Sequence, residues 1–473
     1  MTQDAADRLD QTAALSAEAL EDFALRDDYA LNPKFVKTVV DAADRGDGLR
    51  LRELMEALHP ADIADLMGFL PADYREEVIP WIPPDVLADV LTELDEGVRE
   101  EVLAEVAPGA LAEALQELDS DDQTDIVEDL GEEHRREVLA AMPESERTAI
   151  ETSLGYEEES AGRLMQREVM AAPLFWTVGQ TIDHMRAQDE GLPELFFDIY
   201  VVDEAFKPVG AVPVSRLLRS KRDARLAVIM EPVTELTVEM DQEDAARIFE
   251  KYNLISAPVV DEHGRLVGQI TVDDIVSIIQ EENQEDILAL AGVSDAGRDA
   301  DIFGVMRSRF PWLVVNLGTA IAASAVIALF RREIEAIVAL AVLMPIVASM
   351  GGNAGTQALA VAVRSLATRE VNASNVGRII LRELGVGLAN GTGIAALLAV
   401  AAWVWQQDLR LSGVIAAAVI INLCAAALAG ALVPLALDRL GRDPAVSSPV
   451  FVTWVTDTVG FFSFLGLAAV VLM

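Results

Sequence analysis

One carboxylate stands alone in the most apolar part of the chain. Residues 444–473 carry a single charge, Asp457, which is the only acid within a predicted membrane span. An ionisable group there is costly and marks an ion path by default, although a protonated or hydrogen-bonded carboxyl is the alternative. Carboxylate, amide and hydroxyl oxygens suit hard cations such as Mg²⁺, whereas Zn²⁺ and Cu⁺ favour His, Cys or Met. The sequence therefore predicts a hard-cation path past Asp457, lined also by Asn353, Gln357 and Thr453.

Five long stretches must position these residues, and each exceeds the roughly 20 residues that a helix needs to cross a bilayer. Five in succession argue against buried helices of a soluble domain. Residues 344–357 combine a proline with a Gly-Gly-Asn-Ala-Gly run, which predicts broken backbone lining a wet cavity, or a flexible loop at the end of the span. The five stretches are residues 310–330, 336–363, 384–407, 411–437 and 444–473.

Charge is divided sharply along the chain. The formal net charge is −42, yet residues 301–473 hold 11 Arg against 9 Asp or Glu, so the excess acid lies in residues 1–300. A body this acidic lacks the Lys and Arg clusters that bind nucleic acid phosphates. Eight arginines flank the spans on one side and three on the other. The positive-inside rule therefore predicts a cytoplasmic N-terminal part and, after five spans, a C-terminus outside.

Residues 47–154 repeat every 12 residues. Pro or Asp stands at or near the start of most units, and positions 8, 9 and 12 are nearly always apolar, as in Val90, Leu91 and Leu94. This spacing marks one face of a helix, and the leading residue supplies an N-terminal signal. The pattern predicts short helices that stack into an all-α solenoid with acidic outer faces.

A second repeat follows, with an offset of 58 residues. Residues 200–210 (YVVDEAFKPVG) match residues 258–268 (PVVDEHGRLVG), and each segment lies between a predicted helix and a strand with another helix. The order predicts two βαββα units. In the second unit, Thr271 and Asp274 lie at a strand-to-helix turn, where their oxygens can hydrogen-bond a ribose.

An acidic helix is predicted to run from Asp274 towards the first span. Glu281, Glu282, Glu285 and Asp286 crowd one part of it. Like charges four residues apart destabilise a helix unless cations screen them. This arrangement predicts a switch in which bound divalent ions hold acidic surfaces together and their loss lets the surfaces separate.

The combined pattern resembles the MgtE family of magnesium channels and transporters over nearly the whole chain. The resemblance rests on residues 351–357 (GGNAGTQ), on residues 285–292 (EDILALAG), and on Asp443-Pro-Ala with Asp457 14 residues after Asp443. It implies a multidomain fold: an all-α helical-repeat solenoid, an α/β tandem CBS pair, a connecting helix and an all-α five-helix transmembrane domain. The implied segments are an N-terminal extension (1–46), an acidic N domain (47–157), a first CBS domain (158–222), a second CBS domain (223–280), a connecting or plug helix with its linker (281–309) and the pore domain (310–473).

The resemblance also implies functional residues. Asp457 matches the family's pore aspartate, which contacts hydrated Mg²⁺ on a path along a homodimer interface. Mg²⁺ at sensor acids locks the cytosolic part and closes the pore, and ATP strengthens this response, with Thr271 and Asp273 as the local candidates. Ser277 and Asn253 stand where the family often has acids. The matching sensor acids are Asp89, Asp121, Asp125, Asp241, Glu243, Asp274, Glu282, Glu285 and Asp286.

The sequence thus predicts a regulated Mg²⁺ uptake channel of the cytoplasmic membrane. Mg²⁺ is both cargo and regulator, ATP is a modulator, and a homodimer in membrane lipid is the assembly. No GxxxxGK[ST] phosphate-binding loop and no nucleophile–base constellation support an enzyme. Two alternatives stay open: a broader divalent (Mn²⁺, Co²⁺) or Na⁺- or H⁺-coupled transporter, and a membrane-anchored CBS sensor with a separate effector.

Overall fold

The computed structural model describes residues 20, 23–187, 192–193, 195–290, 302–371, 374–442 and 444–473. Asp443, Ala291 and Gly292, which belong to the predicted motifs, lie outside the described residues. The described residues divide into two compact units, one that ends at residue 281 and one that begins at residue 282.

Residues 33–153 form short helices, as the 12-residue period predicts. From α3 onward, helices begin at or near every twelfth residue, and a proline occupies the first helical position of α3 and α7. The helices are α1 (Pro33–Ala43), α2 (Gly48–Met55), α3 (Pro60–Phe69), α4 (Ala72–Val78), α5 (Leu87–Thr92), α6 (Glu96–Glu105), α7 (Pro108–Leu115), α8 (Ser120–Asp129), α9 (Glu132–Ala141) and α10 (Glu144–Ser153).

The apolar positions of the repeat build one continuous core. In the unit that contains α8, positions 8, 9 and 12 are Ile126, Val127 and Leu130, and all three are buried. Each such side chain contributes about 1.5–3 kcal/mol when it is fully buried. Phe35 and Val39 of α1 join the same core, so the packing extends upstream of the repeat. The predicted helical-repeat solenoid is confirmed.

Two small sheets follow, and their registers repeat with the predicted offset of 58. Ile199 pairs with Val212 in the first sheet, and Ala257 pairs with Ile270 in the second. Each sheet orders its strands as first, second and third, with a parallel and then an antiparallel pair. The strands are β1 (Ala171–Pro173), β2 (Asp198–Val202), β3 (Pro208–Pro213), β4 (Leu236–Thr237), β5 (Ser256–Val260) and β6 (Leu266–Thr271).

Short helices complete the two α/β units. They are α11 (Ala161–Leu164), α12 (Val178–Ala187), α13 (Val214–Arg219), α14 (Leu226–Ile229) and α15 (Gln242–Tyr252). Tyr200 of β2 donates a hydrogen bond to Ser256 Oγ of β5 at 2.9 Å, and Ser256 Oγ donates to Asp198 Oδ2 at 2.9 Å. These bonds join the two sheets. They also satisfy polar groups that would be costly to leave unpaired away from solvent.

Long helices form the second unit. The acidic helix α16 (Val272–Leu290) ends in it, where Ala289 joins a buried apolar cluster with Leu359, Val363 and Val452. Among the residues that the structure describes, five helices are long and apolar enough to cross a membrane, as predicted. The helices after α16 are α17 (Ile302–Leu329), α18 (Arg331–Ala336), α19 (Ala339–Ala367), α20 (Val376–Gln406), α21 (Leu409–Arg439) and α22 (Pro444–Leu472).

The prediction of broken backbone or a loop within residues 344–357 is wrong. Helix α19 continues through Pro345 and the glycines that follow it. The glycines instead permit close packing: a Cβ on Gly351 would lie 2.1 Å from Asn422 Nδ2, and one on Gly355 would lie 2.7 Å from Val452. Close contact with neighbouring helices thus offsets the poor helix propensity of these residues.

Among the described residues, two further acids lie within candidate spans, Glu383 of α20 and Asp438 of α21, so the prediction that Asp457 is the only one is wrong. Helix α20 begins at Val376 and includes Glu383, whose side chain is buried beside the Arg382 guanidinium. The predicted span starts at residue 384 because charged residues precede it in the sequence. A helix continues past the apolar stretch because its backbone hydrogen bonds do not depend on side-chain polarity.

Gly430 provides a test of this packing. A Cβ at Gly430 would lie 2.7 Å from the Gly355 carbonyl oxygen and 2.9 Å from the Leu359 nitrogen, and backbone atoms cannot move aside cheaply. We expect Gly430→Ala to lower the thermal unfolding midpoint of the full chain in detergent by several degrees, as overpacking costs about 1–3 kcal/mol. Gly393→Ala is the matched control, because nothing lies within 4 Å of its Cβ. Equal midpoints for the two variants would contradict this packing.

Candidate functional site

The acidic first turns of two helices lie close together within the first unit. Helix α8 carries Asp121 and Asp122 in its first turn, and α16 carries Asp273 and Asp274. A helix N-terminus stabilises nearby negative charge, so each pair is locally favourable. Across the interface the pairs repel, because Asp274 raises the pKa of both Asp121 and Asp122. We call these four residues the interdomain carboxylates.

Hydrogen bonds hold the two helix starts in place. Ser120 Oγ donates to Glu168 Oε2 at 2.8 Å and accepts from the Arg167 backbone N–H at 2.8 Å. The Glu168 carbonyl in turn accepts from Gln269 Nε2 of β6 at 3.0 Å. Because β6 leads directly into α16, this chain of contacts fixes Ser120 and its neighbours beside Asp274.

Burial and mutual repulsion dominate the electrostatics of the cluster. Burial, then Asp274 and then Asp122 raise the pKa of Asp121 well above its usual value. Burial, then Asp274 and then Asp119 raise the pKa of Asp122 to about 7. Burial and then Asp273 raise the pKa of Asp274 to about 6. The site therefore favours any species that neutralises the carboxylates, either protons or a cation.

The donor chemistry fits a hard divalent cation. Carboxylate oxygens are the ligands that Mg²⁺ prefers, and Mg²⁺ keeps several of its waters while one or two carboxylates hold it. Within the described ranges, no three His, Cys, Asp or Glu side chains are arranged as a ready-made metal group. Carboxylates of this kind would suit a largely hydrated ion, because Mg²⁺ gives up its waters reluctantly.

These pKa directions predict a pH dependence in metal-free protein. A carboxyl whose pKa is raised by the contact between α8 and α16 stabilises that contact at low pH. The stabilisation is lost as the pH rises through about 6 to 7. In EDTA, we expect backbone hydrogen exchange of α8 residues, corrected for the intrinsic pH effect, to be faster at pH 8 than at pH 5.5. Asp122→Asn should reduce the difference. An unchanged pH dependence in that variant would contradict the prediction.

The structure gathers only some of the predicted sensor acids. Asp125 lies near enough to contribute to the raised pKa of Asp122, but it also accepts a hydrogen bond from Arg99. Asp89 is exposed on α5, and no described hydrogen bond or ion pair joins its carboxylate to the cluster. Asp241 caps α15 by accepting from the backbone N–H of Glu243 at 2.9 Å, and both side chains are exposed.

The remaining predicted acids lie on the connecting helix α16. Glu282 and Asp286 are half-buried, and Glu285 is exposed. They belong to the second unit, whereas Asp274 at the start of the same helix belongs to the first. One helix thus carries acids into both units, as the sequence predicted, although their role as Mg²⁺ ligands stays a prediction.

The proposed nucleotide residues form a local cap. The Thr271 hydroxyl donates to Asp274 Oδ2 at 2.9 Å and also contacts the Asp273 carboxylate. These bonds organise the first turn of α16 and occupy the groups that a ribose would need. Asn253 ends α15 with φ of 50°, a left-handed conformation that Asn tolerates well.

In the second unit, the predicted pore residues border a close helix crossing. Gly355 of α19 meets Val452 and Thr456 of α22. Asn353 and Gln357 stand two residues on either side of Gly355 and are exposed. On α22, Thr453 is exposed and Asp457 is half-buried, four residues apart on one helical face. All four polar groups therefore remain accessible in the single chain.

Sequence reasoning missed a buried amide at the same crossing. Asn422 of α21 is fully buried, and its Nδ2 donates to the Val347 carbonyl at 2.9 Å. It fits against Gly351 and Gly460, the two glycines nearest its side chain. Around the interdomain carboxylates, Asp119, Asp122 and Arg99 were also missed; the acidic run 119–122 carried a signal for the two acids.

Five candidate spans, a small-residue helix crossing with an accessible carboxylate and an acidic helical-repeat unit define a polytopic membrane protein of the cation-transporter class. Comparison with known proteins makes this specific. The profile of the MgtE family, described as a divalent cation transporter, matches residues 344–467; the MgtE intracellular N domain matches residues 58–159, and a CBS domain matches residues 225–281. The chain belongs to the MgtE family.

Individual proteins of this family resemble the chain over about two thirds of its length. A magnesium transporter MgtE from Enterococcus faecalis is 34% identical over 66% of this chain and 69% of its own length. The same-named protein from Thermus thermophilus is 34% identical over 67% of this chain and 71% of its own length. A crystal structure of the cytosolic domain of the Mg²⁺ channel MgtE in complex with ATP is 32% identical and covers 51% of this chain and 99% of that domain, with a TM-score of 0.48.

Proposed function

We propose that this chain transports Mg²⁺ into the cell as a passive channel that cytosolic Mg²⁺ closes. Membership of a divalent cation transporter family supports transport, and the named relatives are magnesium transporters. The observation that carries the proposal is the accessible carboxylate of Asp457 on a helix apolar enough to span a membrane. The proposed cellular location is the cytoplasmic membrane, with the acidic domains in the cytoplasm and the C-terminus outside.

The ion path is proposed to follow the interface of a homodimer within the lipid bilayer. Asn353, Gln357 and Thr453 are exposed in one chain, although polar groups facing lipid would be costly. A second copy would enclose them together with Asp457. Selectivity would follow from amide, hydroxyl and carboxylate oxygens that hold a mostly hydrated ion, since Mg²⁺ dehydrates reluctantly.

The interdomain carboxylates are proposed as part of the sensor. At neutral pH their repulsion opposes the contact between α8 and the start of α16. When bound there, Mg²⁺ supplies the positive charge that cancels this repulsion. Low cytosolic Mg²⁺ then favours separation of the acidic surfaces, and high cytosolic Mg²⁺ favours docking. Glu282, Glu285 and Asp286 would extend the same control along α16 towards the membrane unit.

ATP is proposed as a modulator at the second CBS unit. Thr271 and Asp273 are the candidate ATP-binding residues, and their side chains already contact each other at the start of α16. Nucleotide binding would therefore have to replace these local bonds, and it would bear on Asp274 directly because Thr271 bonds both acids. This proximity would couple the nucleotide to the interdomain carboxylates.

Mg²⁺ flux through the reconstituted full chain tests the proposal. The protein is placed in a planar bilayer, and Mg²⁺ on the cytosolic side is stepped from micromolar to about ten millimolar, the weak range of carboxylate sites. A Mg²⁺ current that closes as cytosolic Mg²⁺ rises is the expected result. A silent bilayer combined with proton- or sodium-dependent uptake in vesicles would replace the channel with a coupled carrier.

A further inference from the structure

Helix α6 places an arginine directly on one of the proposed sensor acids. Arg99 Nη1 donates to Asp125 Oδ2 at 2.7 Å, and Arg99 Nε donates to Asp129 Oδ2 at 2.5 Å. The Arg99 side chain is only 9% exposed, and Asp129 is 12% exposed, whereas Asp125 is 61% exposed. A nearly buried guanidinium therefore neutralises a carboxylate that is itself open to solvent.

Asp125 also belongs electrostatically to the interdomain carboxylates. It lies one helical turn after Asp121 and Asp122 on α8, and its charge acts on Asp122. The largest causes of the raised pKa of Asp121, Asp122 and Asp274 are burial and neighbouring carboxylates. Asp125, by contrast, has a fixed positive partner in Arg99.

We propose that Arg99 acts as a built-in competitor of Mg²⁺ and sets the concentration at which the cytosolic sensor responds. The inference rests on the proposed function, because it assumes that divalent ions act at the interdomain carboxylates. Arg99 holds one oxygen of Asp125 and reduces the negative charge of the site. A divalent ion must therefore either share Asp125 with the guanidinium or displace it, and both weaken ion binding.

The geometry favours competition over preorganisation. A guanidinium that only supported the site would orient a ligand carboxylate while leaving its charge available. Here the Arg99 charge lies on the same carboxylate that would attract the ion. Asp129 anchors the other edge of the guanidinium, so Arg99 stays in place when the solvent around Asp125 changes.

The test measures hydrogen exchange of residues 120–129 in the full chain in nanodiscs, titrated with MgCl₂ alone. Arg99→Gln is expected to lower the Mg²⁺ concentration of half-maximal protection about tenfold, the effect of one unit charge several Å from a divalent ion even at the dielectric constant of water. Arg99→Lys keeps the charge and should remain near the wild-type midpoint. A midpoint that is unchanged or higher in Arg99→Gln overturns the proposal.

Two further variants separate the charge effect from damage to the fold. Arg99→Gln combined with Asp129→Asn also removes the buried acid that Arg99 contacts, and its midpoint should fall by less than that of the single variant, because the two charges removed are opposite. Arg75→Gln is the matched control: Arg75 pairs with Glu101 at 2.7 Å and is 5% exposed, but Glu101 is not one of the proposed sensor acids. Its midpoint should not change, and a fall equal to that of Arg99→Gln would overturn the proposal.

Failure of this inference is distinguishable from failure of the proposed function. If Mg²⁺ protects residues 120–129 in the wild type and Asp274→Asn alters that response, the sensor stands. An unchanged Arg99→Gln midpoint then rejects the competitor alone. If Mg²⁺ has no effect on exchange in the wild type, the sensor role of the interdomain carboxylates fails, and the Arg99 proposal fails with it.

Discussion

Asp457→Asn is expected to lower Mg²⁺ flux through the reconstituted protein at least about 30-fold, because a divalent ion about 4 Å from a carboxylate loses about 2 kcal/mol of attraction even at the dielectric constant of water. The substitution preserves side-chain size on α22, so the helix crossing at Gly355 should survive. Flux of Mg²⁺ into vesicles that contain a fluorescent indicator measures the effect. The variant must remain monodisperse in detergent for the comparison to hold.

Asp438→Asn is the matched control for this experiment. Asp438 is an exposed acid near the end of α21, outside the proposed path, and its loss changes the net charge of the membrane unit equally. We expect its flux to equal that of the wild type. Normal Mg²⁺ flux through Asp457→Asn would instead favour the membrane-anchored sensor, in which a separate effector carries the ion.

The helical repeat and the paired α/β units were predictable because their signals are local. A 12-residue period puts apolar residues such as Ile126 and Leu130 on one face of each helix, and a proline or acid near the start sets where the helix begins. The 58-residue offset likewise predicts that the two sheets share the same strand register. Neither inference required knowledge of which distant segments touch.

The errors in the membrane unit have the opposite cause. Pro345 and Gly351 have low helix propensity, yet α19 is continuous, because Gly351 packs against Asn422 of a helix about 70 residues later in the chain. Propensity reports only the cost of these residues, while the compensating contact is tertiary. Glu383 was missed for a related reason: charge marks the end of an apolar stretch but not the end of a helix.

The sensor residues were predictable only in part. Asp121 and Asp274 are distant in sequence; the family resemblance marked each as a sensor acid, but nothing in the sequence predicted that they lie together. Asp122 could have been recognised as a third member, since it adjoins Asp121 in the same helical turn. Arg99 could not, because an arginine on one helix reveals nothing in the sequence about which carboxylate on another helix it will meet.

Neutralising one of the interdomain carboxylates is expected to raise the cytosolic Mg²⁺ concentration that is needed to inhibit flux. Asp274→Asn removes a charge that attracts the ion, so the Mg²⁺ concentration for half-maximal inhibition should rise about tenfold. It also relieves repulsion of Asp121 and Asp122, so exchange of α8 in EDTA should be slower than in the wild type. Flux and hydrogen exchange, measured against the same MgCl₂ series, report the two effects separately.

Glu113→Gln provides the control for this prediction, because Glu113 is an exposed acid of the same solenoid that is not among the predicted sensor acids. We expect its inhibition curve to match the wild type.

The double variant Asp121→Asn with Asp274→Asn should respond less to Mg²⁺ than either single variant. Its loss of response should be smaller than the sum of the two single losses, since the two residues share one cluster. Full additivity would mean that they act on separate ions, and an unshifted Asp274→Asn curve would place the sensor elsewhere, with the acids of α16 next to be tested.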